Sequence, residues 1–297
     1  MKNLRGVCMK KRVIYPAEIR NSKFISYSEM ATVTTLQDGS ILKIFNPSML
    51  NVMQQVGINT EKKILDAKPI KGSPEILIPT SAAYFPNGKF IGYTINRANG
   101  IDYNAYDDNL TLQQRSNLHM YASDHDKIEA VLRRNSNIVF PDFCTCDNIF
   151  FDNSGNVQFI DYDGLQVGTH KSICFSTSLG DAENYFYNPK YCRNGHFTKE
   201  LDKKSSIVLY FLTTFNANIS KVGMNHPRTG LPVTLDDFFR AINLDDPDLC
   251  HKVWKTFQDD QQNDFLGDTV FDIAEKYDMH VFGEIDGCYL KTLTKKR

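Results

Sequence analysis

A chain of 297 residues is long enough for one large domain or for two lobes around a cleft. Its composition, 41% hydrophobic and 23% charged, is that of a soluble globular protein, and a formal net charge of −1 argues against general nucleic-acid binding. No stretch reaches the roughly 18–20 apolar residues of a membrane span. No apolar run of signal-peptide length follows the basic N-terminus, and seven scattered cysteines predict reduced thiols and a cytoplasmic home.

Residues 1–21 are basic and weakly patterned, an extension or an extra strand. Strands are predicted at Phe24–Tyr27, Thr32–Leu36 and Ile41–Phe45, the last two joined at Asp38-Gly39, a hairpin signal between β-branched and aromatic runs. Residues Ser48–Ala67 have helical spacing, interrupted at Gly57 and Asn59-Thr60, which suggests two short helices. Ile76–Ile78 and Phe90–Ile95 read as strands, and Leu110–Arg134 as a long helix. A hairpin follows, Ile149–Phe151 and Val157–Ile160 around the turn Asn153-Ser154-Gly155-Asn156. An irregular stretch runs to about Tyr191, and from Leu201 the pattern is helical at roughly 202–215, 234–242, 246–258 and 267–277. Strand-rich sequence thus precedes helix-rich sequence, a layout that commonly places a site between the two parts.

The hairpin carries the most informative residues. Asn148 stands before its first strand and Asp161 after its second. A tight hairpin folds its ends side by side, and an amide oxygen next to a carboxylate can hold a hard cation such as Mg²⁺. Lys43 lies inside the apolar strand Ile41-Leu42-Lys43-Ile44-Phe45, where a charge needs a reason. It either serves a site or faces outward from an alternating strand.

These residues resemble the eukaryotic-like protein kinase family. Asn148 matches the family's catalytic-loop Asn, and Asp161-Tyr162-Asp163-Gly164 is similar to Asp-Phe-Gly with one extra residue before the glycine. The resemblance implies that Lys43 contacts the α- and β-phosphates of ATP, that Glu61, eighteen residues on, pairs with Lys43, and that Asn148 and Asp161 hold Mg²⁺. Ser26, Ser28, Ala31 and Val33 fall where the family has its glycine-rich phosphate loop, with Val33 kept and every glycine absent. Thr94, Ile95 and Asn96 fall where the hinge backbone meets adenine.

Asp142 matches the aspartate that takes the substrate's hydroxyl proton, but it precedes Asn148 by six residues where the family has five. Either the loop carries one extra residue or Phe143 fills that position; Asp147 is the next candidate base. Asn188-Pro189-Lys190 stands where the family has Ala-Pro-Glu, and Asp202 resembles the Asp that opens the large lobe's central helix. The implied fold is α+β, bilobal and protein-kinase-like, with a β-rich N-lobe at 1–95 and a helical C-lobe at 96–297. The implied activity is ATP- and Mg²⁺-dependent phosphoryl transfer to Ser or Thr on a protein substrate. Two alternatives stay open: a catalytically impaired nucleotide-binding scaffold, and a small-molecule kinase of the aminoglycoside or choline type.

Overall fold

The computed structural model describes residues 9–70, 73–102, 125–141, 148–152, 156–175 and 191–202, with a few positions between 234 and 251. The fold is mixed α and β, with one large sheet and few helices among the described residues. The chain divides into two compact units. The first joins Met1–Asn99 to Arg134–Pro141 and Gln158–Phe197, and the second contains Gly100–Arg133, Asp142–Val157 and Thr198–Arg297.

The first unit is built on six strands: β1 (Lys10–Val13), β2 (Lys23–Tyr27), β3 (Ala31–Thr35), β4 (Ile41–Phe45), β5 (Pro79–Tyr84) and β6 (Phe90–Ile95). Their order is β1-β5-β6-β4-β3-β2, antiparallel except where β1 runs parallel to β5. The predicted β3–β4 hairpin is present. Gly39 takes φ 83 at its tip, a conformation glycine adopts without steric cost. The N-terminal stretch supplies the extra strand β1 and a short helix, α1 (Pro16–Arg20).

One expectation is corrected. Ile76–Ile78 is not a strand; β5 begins at Pro79, and Ile76 makes only an isolated parallel bridge to Phe159. The apolar triplet is used instead to anchor a distant segment. Phe159 N–H donates to Glu75 O at 2.8 Å, and Leu77 N–H donates to Phe159 O at 2.9 Å.

Alternation assigns the two sheet faces. Leu42, Ala83 and Ile91 pack with Ile14 and Leu36 on one face, with Ile19 of α1 and Ile44 against them. Ile91 reaches this face through an irregularity. The register steps from Ala83–Gly92 to Tyr84–Phe90, and Gly92 takes φ 155. A Cβ on Gly92 would lie 1.9 Å from the backbone oxygen of Lys43, so only glycine fits beside that strand. The other face carries Val33, Lys43 and Tyr93 in register across β3, β4 and β6. Phe45 stacks beside Tyr93, with ring centroids 5.9 Å apart.

Two helices follow β4, as the interrupted pattern predicts: α2 (Pro47–Gln55) and α3 (Thr60–Leu65). Each starts on an asparagine. Asn46 Oδ1 accepts from Ser48 N–H at 3.1 Å, and Asn59 Oδ1 accepts from Lys62 N–H at 2.9 Å. Gly57 with φ 76 makes the break between them. Helix α3 packs on β5 and β6 and buries Thr60, Lys63 and Ile64, one face at helical spacing.

Later segments complete the unit. Ile138–Val139 pairs antiparallel with Gln166–Val167, and Cys192–Arg193 with His196–Phe197. The Gln166 side chain closes this region, donating to Phe197 O at 2.8 Å and accepting from Phe197 N–H at 2.7 Å.

In the second unit, Ile101–Asp102 pairs antiparallel with Ile149–Phe151. The predicted turn after that strand is closed by Asp152, whose N–H donates to Asn156 O at 3.0 Å and whose carboxylate accepts from Asn156 N–H at 2.9 Å. Helix His125–Arg134 covers the last part of the stretch predicted as a long helix; residues 110–124 lie outside the described residues. Among the described residues, no helix is long and apolar enough to cross a membrane.

Candidate functional site

The site grows from a short turn after the strand Val157–Phe159. Gly164 N–H donates to Asp161 O at 2.8 Å and closes the turn Asp161-Tyr162-Asp163-Gly164. Asp161 sits at φ 65, a left-handed conformation uncommon for residues other than glycine and found preferentially at functional positions. Gly164 sits tightly against its neighbour. A Cβ there would lie 2.6 Å from Asp161 Oδ2 and push the carboxylate out of place.

Lys43 reaches this turn from the middle of β4. Its ammonium contacts Asp161 Oδ1 and donates to both carboxylate oxygens of Asp163 at 3.0 Å. Asp163 is fully buried, while the Lys43 and Asp161 side chains keep about one seventh of their surface, at 14% and 15%. The Tyr93 hydroxyl, on the strand beside β4, also donates to Asp163 Oδ1. Burial works against the charge on Lys43, but Asp161 and Asp163 outweigh it and raise its pKa. Burial would raise Asp163 as well; the Lys43 charge and the Tyr93 hydrogen bond overcome that and lower it. Tyr93 is pushed well above its ordinary value, by burial first and by the two carboxylates next. At neutral pH Lys43 is therefore an ammonium, Asp163 a carboxylate and Tyr93 a neutral phenol.

A second lysine supports the turn from behind. Lys63 on α3 is only 1% exposed. Its ammonium donates to Asp163 O at 2.7 Å, to Leu165 O, and to Lys171 O at 3.2 Å. Burial pulls its pKa down to about 8, with the Asp163 charge opposing.

The sequence-derived candidates have different outcomes. Lys43 and Asp161 are brought together. Glu61 is not joined to Lys43: its Oε1 accepts from the Tyr84 hydroxyl at 2.8 Å, and Lys43 takes Asp161 and Asp163 in its place. In this arrangement two carboxylates on one turn already use the three donors of the ammonium. Asp142 and Asp147 lie outside the described residues, as does Asn188-Pro189-Lys190. Asn148 is half-buried at the start of its strand in the second unit. Asp202, also in that unit, is buried and takes the Lys199 ammonium.

The phosphate-loop candidates form an ordinary strand–turn–strand. Ser26 pairs with Val33, and Ser28 Oγ accepts from Met30 N–H at 3.3 Å and Ala31 N–H at 3.2 Å. The serine hydroxyl thus closes its own turn on two main-chain amides. Thr94 spends its hydroxyl inside the sheet on Thr80 and Ser81, Ile95 is buried at the end of β6, and Asn96 is exposed just beyond it.

Sequence reasoning missed Asp163, Tyr93 and Lys63. Asp163 had a signal, its place directly before Gly164. Tyr93 had one as well, opposite Lys43 once β4 and β6 are paired.

Chemically, the cluster is a pair of hard oxygen donors sharing one ammonium. Asp161 and Asp163 suit Mg²⁺ in donor type. Among the described residues there is no group of three or more histidine, cysteine or acidic side chains placed to hold a metal by themselves. No known protein-family model matches the chain, and no curated protein matches it in sequence.

Proposed function

We propose that the protein is an ATP- and Mg²⁺-dependent phosphotransferase of protein-kinase-like, bilobal architecture, with a Ser or Thr hydroxyl of a protein as acceptor. The observation that carries this reading is the Lys43 ammonium on Asp161 and Asp163. The lysine stands on the third strand of an antiparallel series and is followed by a helix, the setting in which kinases keep their phosphate-binding lysine.

When bound, Mg²⁺ supplies neutralisation of charge on the β- and γ-phosphates. Asp161 and Asp163 would hold it, and Asn148 is the further residue to which the resemblance gives the metal. Lys43 would then share its charge with phosphate oxygens, an exchange between two anionic partners rather than a desolvation. Tyr93 keeps Asp163 in place through that exchange by its hydroxyl bond. Asp142 is the residue to which the resemblance gives the hydroxyl proton.

Calorimetric titration of ATP with and without Mg²⁺, beside a phosphate-transfer assay on protein and small hydroxylated acceptors, tests this. Magnesium-dependent binding that weakens in Asp161→Asn and Lys43→Met supports the reading; absence of nucleotide binding by the parent protein overturns it. A second reading, a nucleotide-binding module without turnover, is favoured by the Ser28 hydroxyl closing its own loop. Binding without transfer to any acceptor is its signature.

A further inference from the structure

A buried lysine is expensive unless each of its protons is matched. At Lys63 they are matched by three main-chain carbonyls, those of Asp163, Leu165 and Lys171. An ammonium has three donors, and all three are used. The carbonyls flank both ends of the 163–171 segment, so one side chain fastens the loop that follows the Asp161–Gly164 turn. Other bonds converge on the same stretch. Ser172 Oγ donates to Gly164 O, and Ile173 N–H donates to Asp163 O at 3.2 Å.

Asp163 is therefore gripped from two sides. Its main chain is held by α3, and its carboxylate by Lys43 and Tyr93 on the sheet. Helix α3 is itself tied to β5 through Glu61 and Tyr84. An apolar side chain of similar length would fill the volume at position 63 equally well. What only the charged residue provides is the fastening of the turn.

We propose that Lys63 is a positioning residue, through which α3 sets the Asp161–Gly164 turn for holding the nucleotide's metal. This deepens the phosphotransferase reading and rests on it, while the fastening itself is independent of any ligand.

The test has two arms, using Lys63→Met and Lys63→Gln, the second keeping two donors. The first arm is hydrogen exchange of the ligand-free protein. In Lys63→Met, exchange at Gly164, Leu165 and Ile173 should accelerate by roughly tenfold or more while β4 and β6 stay protected, with Lys63→Gln intermediate. Unchanged exchange at the turn, or acceleration equal across turn and sheet, overturns the proposal. If Lys63→Met does not fold, the same outcomes are read from Lys63→Gln alone.

The second arm is magnesium-dependent ATP binding in a double-mutant cycle with Asp161→Asn. Lys63→Met should weaken binding several-fold in the parent and hardly at all once Asp161 is neutral, leaving metal-free ATP binding unchanged. Equal losses in both backgrounds mark a general packing effect and overturn the positioning role. A parent that shows no magnesium-dependent binding sinks the phosphotransferase reading, and the exchange arm then decides the fastening by itself.

Discussion

Strand β4 and helix α3 each bury one lysine against the same stretch of chain, and they satisfy it by opposite means. Lys43 meets two carboxylates; Lys63 meets three carbonyls. Burial pulls both ammonium groups toward neutrality, yet the pKa of Lys43 is raised and that of Lys63 falls to about 8. The difference lies in the partners. Carboxylates in direct contact outweigh desolvation at Lys43, whereas at Lys63, which bonds main-chain carbonyls, the Asp163 charge opposes desolvation less fully and the Lys43 charge adds to it. Carboxylates can trade one cation for another, but main-chain carbonyls stay where the fold puts them. One lysine is thus suited to exchange partners with a ligand and the other to hold the scaffold still.

The largest way to break this comparison is to remove the exchangeable cation. Lys43→Met leaves Asp163 buried without its main charge partner, and such losses cost about 3–5 kcal/mol. Denaturant unfolding without nucleotide should show it. A loss below about 1 kcal/mol would mean that the two carboxylates are not held by the lysine in solution.

The two carboxylates should differ next. Asp161→Asn keeps a residue that tolerates positive φ and loses a partly exposed charge, so it should cost about 1 kcal/mol. Asp163→Asn removes a fully buried charge and should cost more, about 2–3 kcal/mol. Acid sharpens this pair. The folded-state pKa of Asp163 lies below its ordinary 3.8, so its stabilisation is complete above that value and is lost as pH falls through the folded pKa. Below pH 3.8 the parent should lose stability more steeply than Asp163→Asn. Parallel curves would show that another group controls the acid limb.

Tyr93→Phe should be milder, about 1–2 kcal/mol, because Asp163 loses one donor and keeps Lys43. Its thermal unfolding, set beside that of Lys43→Met, ranks charge against neutral hydrogen bonding on one acceptor.

The smallest effect should come from Arg12 and Asp38, joined at 2.7 Å near the surface. Because Asp38 also accepts from the Ser40 N–H and hydroxyl, the pair is read from a double-mutant cycle of Arg12→Ala and Asp38→Ala, whose coupling should be no more than about 1 kcal/mol, the range of solvent-screened pairs. A larger coupling would erase the contrast between buried and surface charge on which the other predictions depend.

Sequence patterning made the β3–β4 hairpin, β6 and the break between α2 and α3 legible, because each has a local cause: Asp38-Gly39, an aromatic and β-branched run, and Gly57 between two apolar stripes. Strand β5 was not legible. Pro79-Thr-Ser-Ala-Ala-Tyr84 is composed of small residues and is buried almost throughout, so it shows neither alternation nor a strong strand signal. Its place is fixed by pairing with β6, a short turn away, and with β1, far back along the chain.

The site divided in the same way. Lys43 and Asp161 were visible as charges beside apolar strands. Lys63 was hidden by Lys62 and Glu61, which give the local appearance of a solvated helix face, although the residue is buried with Thr60 and Ile64. Glu61 was assigned by distance along the chain alone, and the Tyr84 hydroxyl that claims it belongs to the strand the pattern did not reveal.

Strand β1 has a consequence for handling the protein. It lies at one border of the large sheet, and its sequence there is Lys10-Lys11-Arg12-Val13. A foreign strand approaching that border meets three consecutive cations. Beneath it, β5 has no charged residue at all. A version of the protein shortened past Val13 would bare an uncharged row of amides and carbonyls, ready to pair with another copy. Its expected failure is clumping at high concentration, well before any loss of heat resistance would be noticed.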